Sequence, residues 1–328
     1  MKILHRALGC MLGGAYGDSL GAAVEFSSLT AIRRRYRQNG ITVPEAAFGH
    51  PFPVITDDTQ MALATGQGLV AASFQDCLDD EVIVNEMYQA YLGWYHSQRL
   101  PGESRGPGTT CMSALGSGRI GTIEQPLNHS AGCGGIMRAH PIGLAFAYDP
   151  LRAFRIGCKS AAITHGHVNG YVPAGAFALL VALLAQGHSF PTALQYLTAH
   201  LAMRSEWSQT LTAVKSAVVA ENVSDHGAHI DANIGQTPGR GGGWLGHDAL
   251  SIALYAVIAA REDPIEAVRI AVNHSGDSDS TGSIAGAIAG AIHGPSAFCH
   301  HLRASGIILE KEDELITMSA RLTGFTGY

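Results

Sequence analysis

The stretch Asp277-Ser278-Asp279-Ser280-Thr281-Gly282-Ser283-Ile284-Ala285-Gly286-Ala287-Ile288-Ala289-Gly290-Ala291-Ile292-His293-Gly294 decides how this chain folds. A glycine recurs at every fourth position from 282 to 294, with Ala and Ile between, and that spacing puts the four on one helix face. Each costs about 1 kcal/mol of helix propensity relative to alanine, so the stripe is explained by what it permits: close approach of another backbone. Gly9, Gly13, Gly17 and Gly21 repeat the spacing near the other end of the chain. Membrane helices pair through such stripes, but Ile284 to Ile292 is too short to span, and no longer uncharged apolar run reads as a span. Tight packing in a central bundle is the expectation.

Working outward, apolar residues at three and four spacing predict helices over residues 3–23, 59–73, 79–97, 151–163, 171–186, 191–202, 206–221, 247–261, 264–273, 281–293 and 309–322. Alternating runs and hairpin dipeptides are almost absent, which makes the chain all-α. Residues 39–56, 99–111, 122–136 and 225–246 read as irregular, and none has the composition of a flexible linker. One compact domain over residues 1–328 is expected. The positive start and apolar stretch from Ala7 to Tyr16 superficially resemble a secretory signal, but they run on into Gly17-Asp18 as one amphipathic pattern and read as the first helix.

With 46% hydrophobic residues there is ample material for a core, and 21 basic against 27 acidic residues give a formal charge of -6. No global field favours nucleic acid or anionic lipid. The basic run Arg33-Arg34-Arg35-Tyr36-Arg37 is short and reads as a solvated helix face. Six cysteines without CxxC spacing read as buried free thiols of a reducing cytosol, and a cytoplasmic location is expected.

Two acidic clusters resist a bland reading. Thr56-Asp57-Asp58-Thr59 and Asp277-Ser278-Asp279-Ser280-Thr281 each run directly into an apolar helical pattern, so neither is a solvated charge patch. An N-cap explains one residue of each, not all of them. The helix after the second cluster is expected from Gly282, with Ser280 or Thr281 as its cap and Asp277 and Asp279 on an irregular turn. Four carboxylates converging in one fold need compensating positive charge, and carboxylate, hydroxyl and water oxygens suit Mg²⁺ or Mn²⁺ rather than zinc.

These motifs resemble the ADP-ribosylglycohydrolase family, which includes the dinitrogenase reductase activating glycohydrolase. The resemblance rests on Gly13 to Gly21 with Glu25, on Thr56 to Thr59, on Gly132-Cys133-Gly134-Gly135-Ile136-Met137-Arg138, on Thr164-His165-Gly166-His167, and on Gly276 to Gly282. It implies a compact orthogonal helical bundle around two Mg²⁺ or Mn²⁺ ions, with Thr56, Asp57, Asp58, Asp277, Asp279 and Ser280 as ligands. Asp57 or Asp58 would also polarise the attacking water, and Glu25 stands where serine-specific members place a mobile acid. The loop of Gly134 and Gly135, with Cys133 where relatives have Asn or Ser, would cradle a pyrophosphate. Arg138 would support that loop, bind phosphate or form a buried ion pair; His165 and His167 would reach the diphosphate or distal ribose; and Trp244, in Gly239-Arg240-Gly241-Gly242-Gly243-Trp244, would cover adenine or substrate.

The implied activity is metal-dependent removal of ADP-ribose from a protein side chain, arginine first, with serine, nucleobase or small-molecule conjugates as alternatives. The partner would be an ADP-ribosylated protein, either a regulated enzyme or the target of an ADP-ribosylating toxin. A binuclear phosphoesterase and a catalytically silent structural or binding member are the competing classes.

Overall fold

The computed structural model describes residues 2–75, 78–218, 223–234 and 241–325. Its helices, in chain order, are α1 (Ile3–Gly21), α2 (Leu29–Tyr36), α3 (Asp57–Ala72), α4 (Asp80–Ser97), α5 (Thr109–Gly116), α6 (His140–Ala145), α7 (Pro150–Ala162), α8 (Val168–Gln186), α9 (Phe190–Leu201), α10 (Ser208–Ser216), α11 (His226–Asn233), α12 (Gly246–Ala259), α13 (Pro264–Val272), α14 (Ser278–His293), α15 (Ser296–Ala304) and α16 (Glu312–Thr323). No β-strand occurs among the described residues. Three isolated bridges join Ala46 to Pro53, Gly132 to Leu245 and Gly242 to Gly276.

The two glycine stripes meet each other. α1 and α14 run antiparallel in the most extensive helix pairing of the molecule. A methyl built on Gly9 would lie 2.2 Å from the Gly290 carbonyl oxygen, one on Gly13 2.2 Å from that of Gly286, and one on Gly17 1.9 Å from that of Gly282. No side chain fits between backbones at that separation. Buried hydrophobic side chains from most of the helices form one contiguous core around this pair.

Several boundaries differ from the sequence reading. α14 begins at Ser278, capped by Asp277, whose carboxylate accepts the Ser280 amide, so Asp279 and Ser280 lie in the first helical turn. α11 falls inside the stretch read as irregular, and α5 starts within another. α10 ends at Ser216, short of the expected 221; residues 219–222 lie outside the described residues. The longest apolar segment is not Ile284–Ile292 but α8, which is long and apolar enough by composition to cross a membrane; 89% of that window is buried inside the protein. Asn169, Tyr171 and Pro173 disguise it in the sequence. Cys10, Cys111 and Cys158 are buried thiols as expected, whereas Cys133 and Cys299 are half-buried. Cys77 lies outside the described residues.

Candidate active site

Thr56 ends an extended approach and caps α3: its Oγ1 accepts the Asp58 amide at 3.2 Å. The turn is held from below by Asp18 of α1. Both Asp18 carboxylate oxygens accept the Thr56 amide at 3.0 Å, and Oδ2 also accepts the Thr59 amide at 3.1 Å and the Thr59 hydroxyl. Asp57 Oδ2 accepts the Gly108 amide at 3.3 Å, while Asp58 Oδ2 is buried with no partner. The second turn is held by the glycine loop before it. Gly276 has φ +125, a conformation open to glycine, and the Asp277 amide donates to the Gly242 carbonyl at 3.0 Å.

The sharp turn after α1 then brings Glu25 to α14. Oxygens of Glu25, Asp277 and Asp279 lie within 4.8 Å of one another. These three, with Asp57, Asp58 and Ser280, line a cavity of about 440 Å³, and none of the described lining residues is Lys or Arg. Both helix N-termini direct their positive dipole ends at the carboxylates, which reduces the repulsion without cancelling it.

The remaining repulsion is visible in the proton affinities. Burial first, then the Asp279 and Asp277 charges, pushes Glu25 up to about 12. Burial and the Asp279 charge raise Asp57 and Asp58 well above the usual carboxylate range; burial and Asp277 do the same to Asp279. Burial and Asp279 bring Asp18 to about 7 against the pull of its Thr59 and Thr56 bonds. Five cavity carboxylates cannot all ionise here unaided. The donor set is carboxylate and hydroxyl oxygen, and the buried Asp58 Oδ2 and Glu25 Oε2 lack partners, so the residues fit hard divalent cations.

The other wall is the Gly132–Gly135 segment. Cys133–Gly135 forms a single 3₁₀ turn rather than the entry to a helix, and the Cys133 amide is already spent on the Trp244 carbonyl at 3.0 Å. The Cys133 thiol points to Asp277 Oδ2 at 2.8 Å, and burial with the Asp277 charge holds it protonated. Gly134, Cys133, His165 and Trp244 all line the cavity; Gly135, buried, does not.

Arg138 is brought elsewhere. It is fully buried away from the cavity lining, its guanidinium 4.3 Å over the Tyr91 ring, donating to the Ser160 carbonyl at 3.1 Å and the Thr164 hydroxyl at 2.8 Å. It forms no ion pair among the described residues, and it does not line the cavity. Its role is transmitted. Thr164 Oγ1 accepts from Arg138 and lies 2.8 Å from His165 Nδ1, nearer than its other acceptor, the Ala161 carbonyl at 3.5 Å. With the Thr164 proton on Nδ1, the neutral ring carries its hydrogen on Nε2, the atom beside Gly132 and Gly134. Burial, then the Arg138 charge, lowers His165 to about 3, so it is a neutral donor.

His167 caps α8 through the Asn169 amide and does not line the cavity. Trp244 stacks on Phe26, centroids 5.4 Å apart at 22°. Gly239 and Arg240 of its loop lie outside the described residues. Sequence reasoning missed Asp18 and Phe26. Asp18 was detectable as the single acid in the apolar helix α1; nothing in the local pattern marks Phe26.

The ADP-ribosylglycohydrolase family model matches residues 1–321. "ADP-ribosyl-[dinitrogen reductase] glycohydrolase" of Rhodospirillum rubrum is 31% identical over 168 residues, covering 51% of this chain and 53% of that relative, so the match spans about half its length. An uncharacterized protein of Archaeoglobus fulgidus is 27% identical over 282 residues, 86% of each chain. A solved structure described as an ADP-ribosylglycohydrolase-related protein complex superposes with TM-score 0.71 at 25% identity over 99% of both chains.

Proposed function

Because the chain belongs to the ADP-ribosylglycohydrolase family, we propose that it hydrolyses the bond between C1'' of ADP-ribose and an arginine side chain of a modified protein, in a metal-dependent reaction. The observation that carries this reading is the convergence of two helix N-termini and Glu25 on one cavity lined by five carboxylates. Thr56, Asp57, Asp58, Asp277, Asp279 and Ser280 would hold two Mg²⁺ or Mn²⁺ ions, with Glu25, the least buried of the carboxylates, beside them. Bound there, the ions would polarise a water and orient the ribose hydroxyls.

The chain's own residues do the rest. Carboxylates around C1'' stabilise the oxocarbenium-like charge that builds as the C1''–N bond breaks. Asp57 or Asp58 accepts the water proton, the hydroxyl adds to C1'', and the departing guanidine nitrogen ends with a proton. The neutral His165 and the Gly134 turn, on the wall opposite the carboxylates, would receive the diphosphate, and Met137 and Leu245 add apolar lining.

The test is release of intact ADP-ribose, identified by mass, from an arginine-ADP-ribosylated protein with Mg²⁺, with Mn²⁺ and with EDTA. Release abolished by EDTA and restored by either ion is expected. Release of phosphate instead would establish a phosphoesterase, and release from serine or nucleobase conjugates alone would reassign the acceptor.

A further inference from the structure

Phe26 follows Glu25 directly and its backbone is left-handed, φ 65, a conformation that a bulky side chain adopts at a cost. The residue is 63% exposed, yet it lines the cavity, and its ring is backed by Trp244. The Phe26 amide donates to the Gly276 carbonyl at 3.1 Å, tying the ring to the loop that carries Asp277. A second aromatic, Phe48, is also left-handed, with φ 51, and is not part of the cavity lining. A methyl on Gly106 would lie 3.3 Å from the Phe48 ring and 3.4 Å from Glu25 Oε2, so Gly106 is the spacer between them. Of the two, only Phe26 lines the cavity that holds the least buried carboxylate.

We infer that the Phe26 ring, backed by Trp244, is the acceptor platform of the site, taking the protonated guanidinium of an ADP-ribosylated arginine by cation–π stacking. The inference rests on the hydrolase reading above. The bond to be cut must lie against Glu25 and its neighbouring carboxylates, so the ring one residue from Glu25, at the open end, meets what is attached to C1''. A flat cation suits both the ring face and the acidic cavity beneath it, and the described lining offers no Lys or Arg to compete. Phe26 is thus a positioning residue for the acceptor.

Agmatine, a bare guanidinium probe, titrated into protein saturated with ADP-ribose should quench tryptophan fluorescence, a change assigned to Trp244 among the three tryptophans by its loss in Trp244→Phe. Phe26→Leu should abolish the quench and Phe26→Tyr restore it. On arginine-ADP-ribosylated protein, Phe26→Leu should raise KM about 3- to 30-fold, with kcat within about twofold and the calorimetric Kd for free ADP-ribose unchanged. An equal loss of free ADP-ribose affinity would place the nucleotide on the ring and overturn the inference, as would an unchanged KM. Agmatine quenching without hydrolysis of arginine conjugates would support the platform while overturning the proposed reaction; hydrolysis without quenching would do the reverse.

Discussion

At the scale of single residues, the site is a problem of charge and its supports. Asp279→Asn removes both a proposed ligand and one of the mutually repelling carboxylates. Turnover should fall at least about 100-fold, since even residues behind a ligand are worth 10–100-fold. In EDTA the same variant should melt higher than the parent, because the group removed is one that burial and Asp277 hold against ionisation. A lower melting temperature in EDTA would refute the repulsion. Asp18 acts oppositely: Asp18→Ala leaves the Thr56 and Thr59 amides buried without acceptors, costing about 1–3 kcal/mol for each, read by chemical denaturation. The two acidic clusters were legible because carboxylates running straight into an apolar helix fit neither core nor surface. The partners of Asp18 and Arg138 were not, because they are distant in sequence, 38 and 41 residues away for Asp18, 22 and 26 for Arg138.

At the scale of elements, the α1–α14 pairing allows a test with an internal control. Gly17→Ala puts a methyl 1.9 Å from a carbonyl oxygen and should destabilise by about 1–3 kcal/mol or more, spreading the helices that carry Asp18 and Asp279. Gly14 sits on the same helix with its nearest neighbours at 3.5 Å, and Gly93 in α4 faces open space. Gly14→Ala should be near neutral, and Gly93→Ala should stabilise by up to about 1 kcal/mol through helix propensity. Equal effects in urea unfolding of Gly17→Ala and Gly14→Ala would contradict the backbone contact. The stripe itself was legible, since spacing fixes a face. That the two stripes pack on each other was not, since periodicity names a face and not its partner. The short α11 stayed hidden because His226-Gly227-Ala228-His229-Ile230-Asp231-Ala232-Asn233 offers too few apolar positions to show a period.

At the scale of the whole molecule, two sets of buried groups oppose each other in pH. Burial lowers His140 to about 4 and His165 to about 3, and lowers His274 as well. The unfolded chain takes those protons below about pH 6.5, so stability is lost as pH falls through that window, at about 1.4 kcal/mol per histidine per pH unit. The cavity carboxylates are raised instead, so the metal-free fold binds more protons than the unfolded chain and loses stability as pH rises from about 4. Melting curves in EDTA should therefore peak at mildly acidic pH, and adding Mg²⁺ or Mn²⁺ should shift the peak upward; coincident curves would contradict cation binding at the carboxylates. The antiparallel α1–α14 contact also has a consequence for synthesis. A ribosome delivers α1 before α14, and the helix that fits the α1 glycine stripe follows only after the 256 residues between Gly21 and Ser278. While the residues between them are made, that groove waits without its match, so the candidate cavity, which needs both helices, closes only after α14 has emerged.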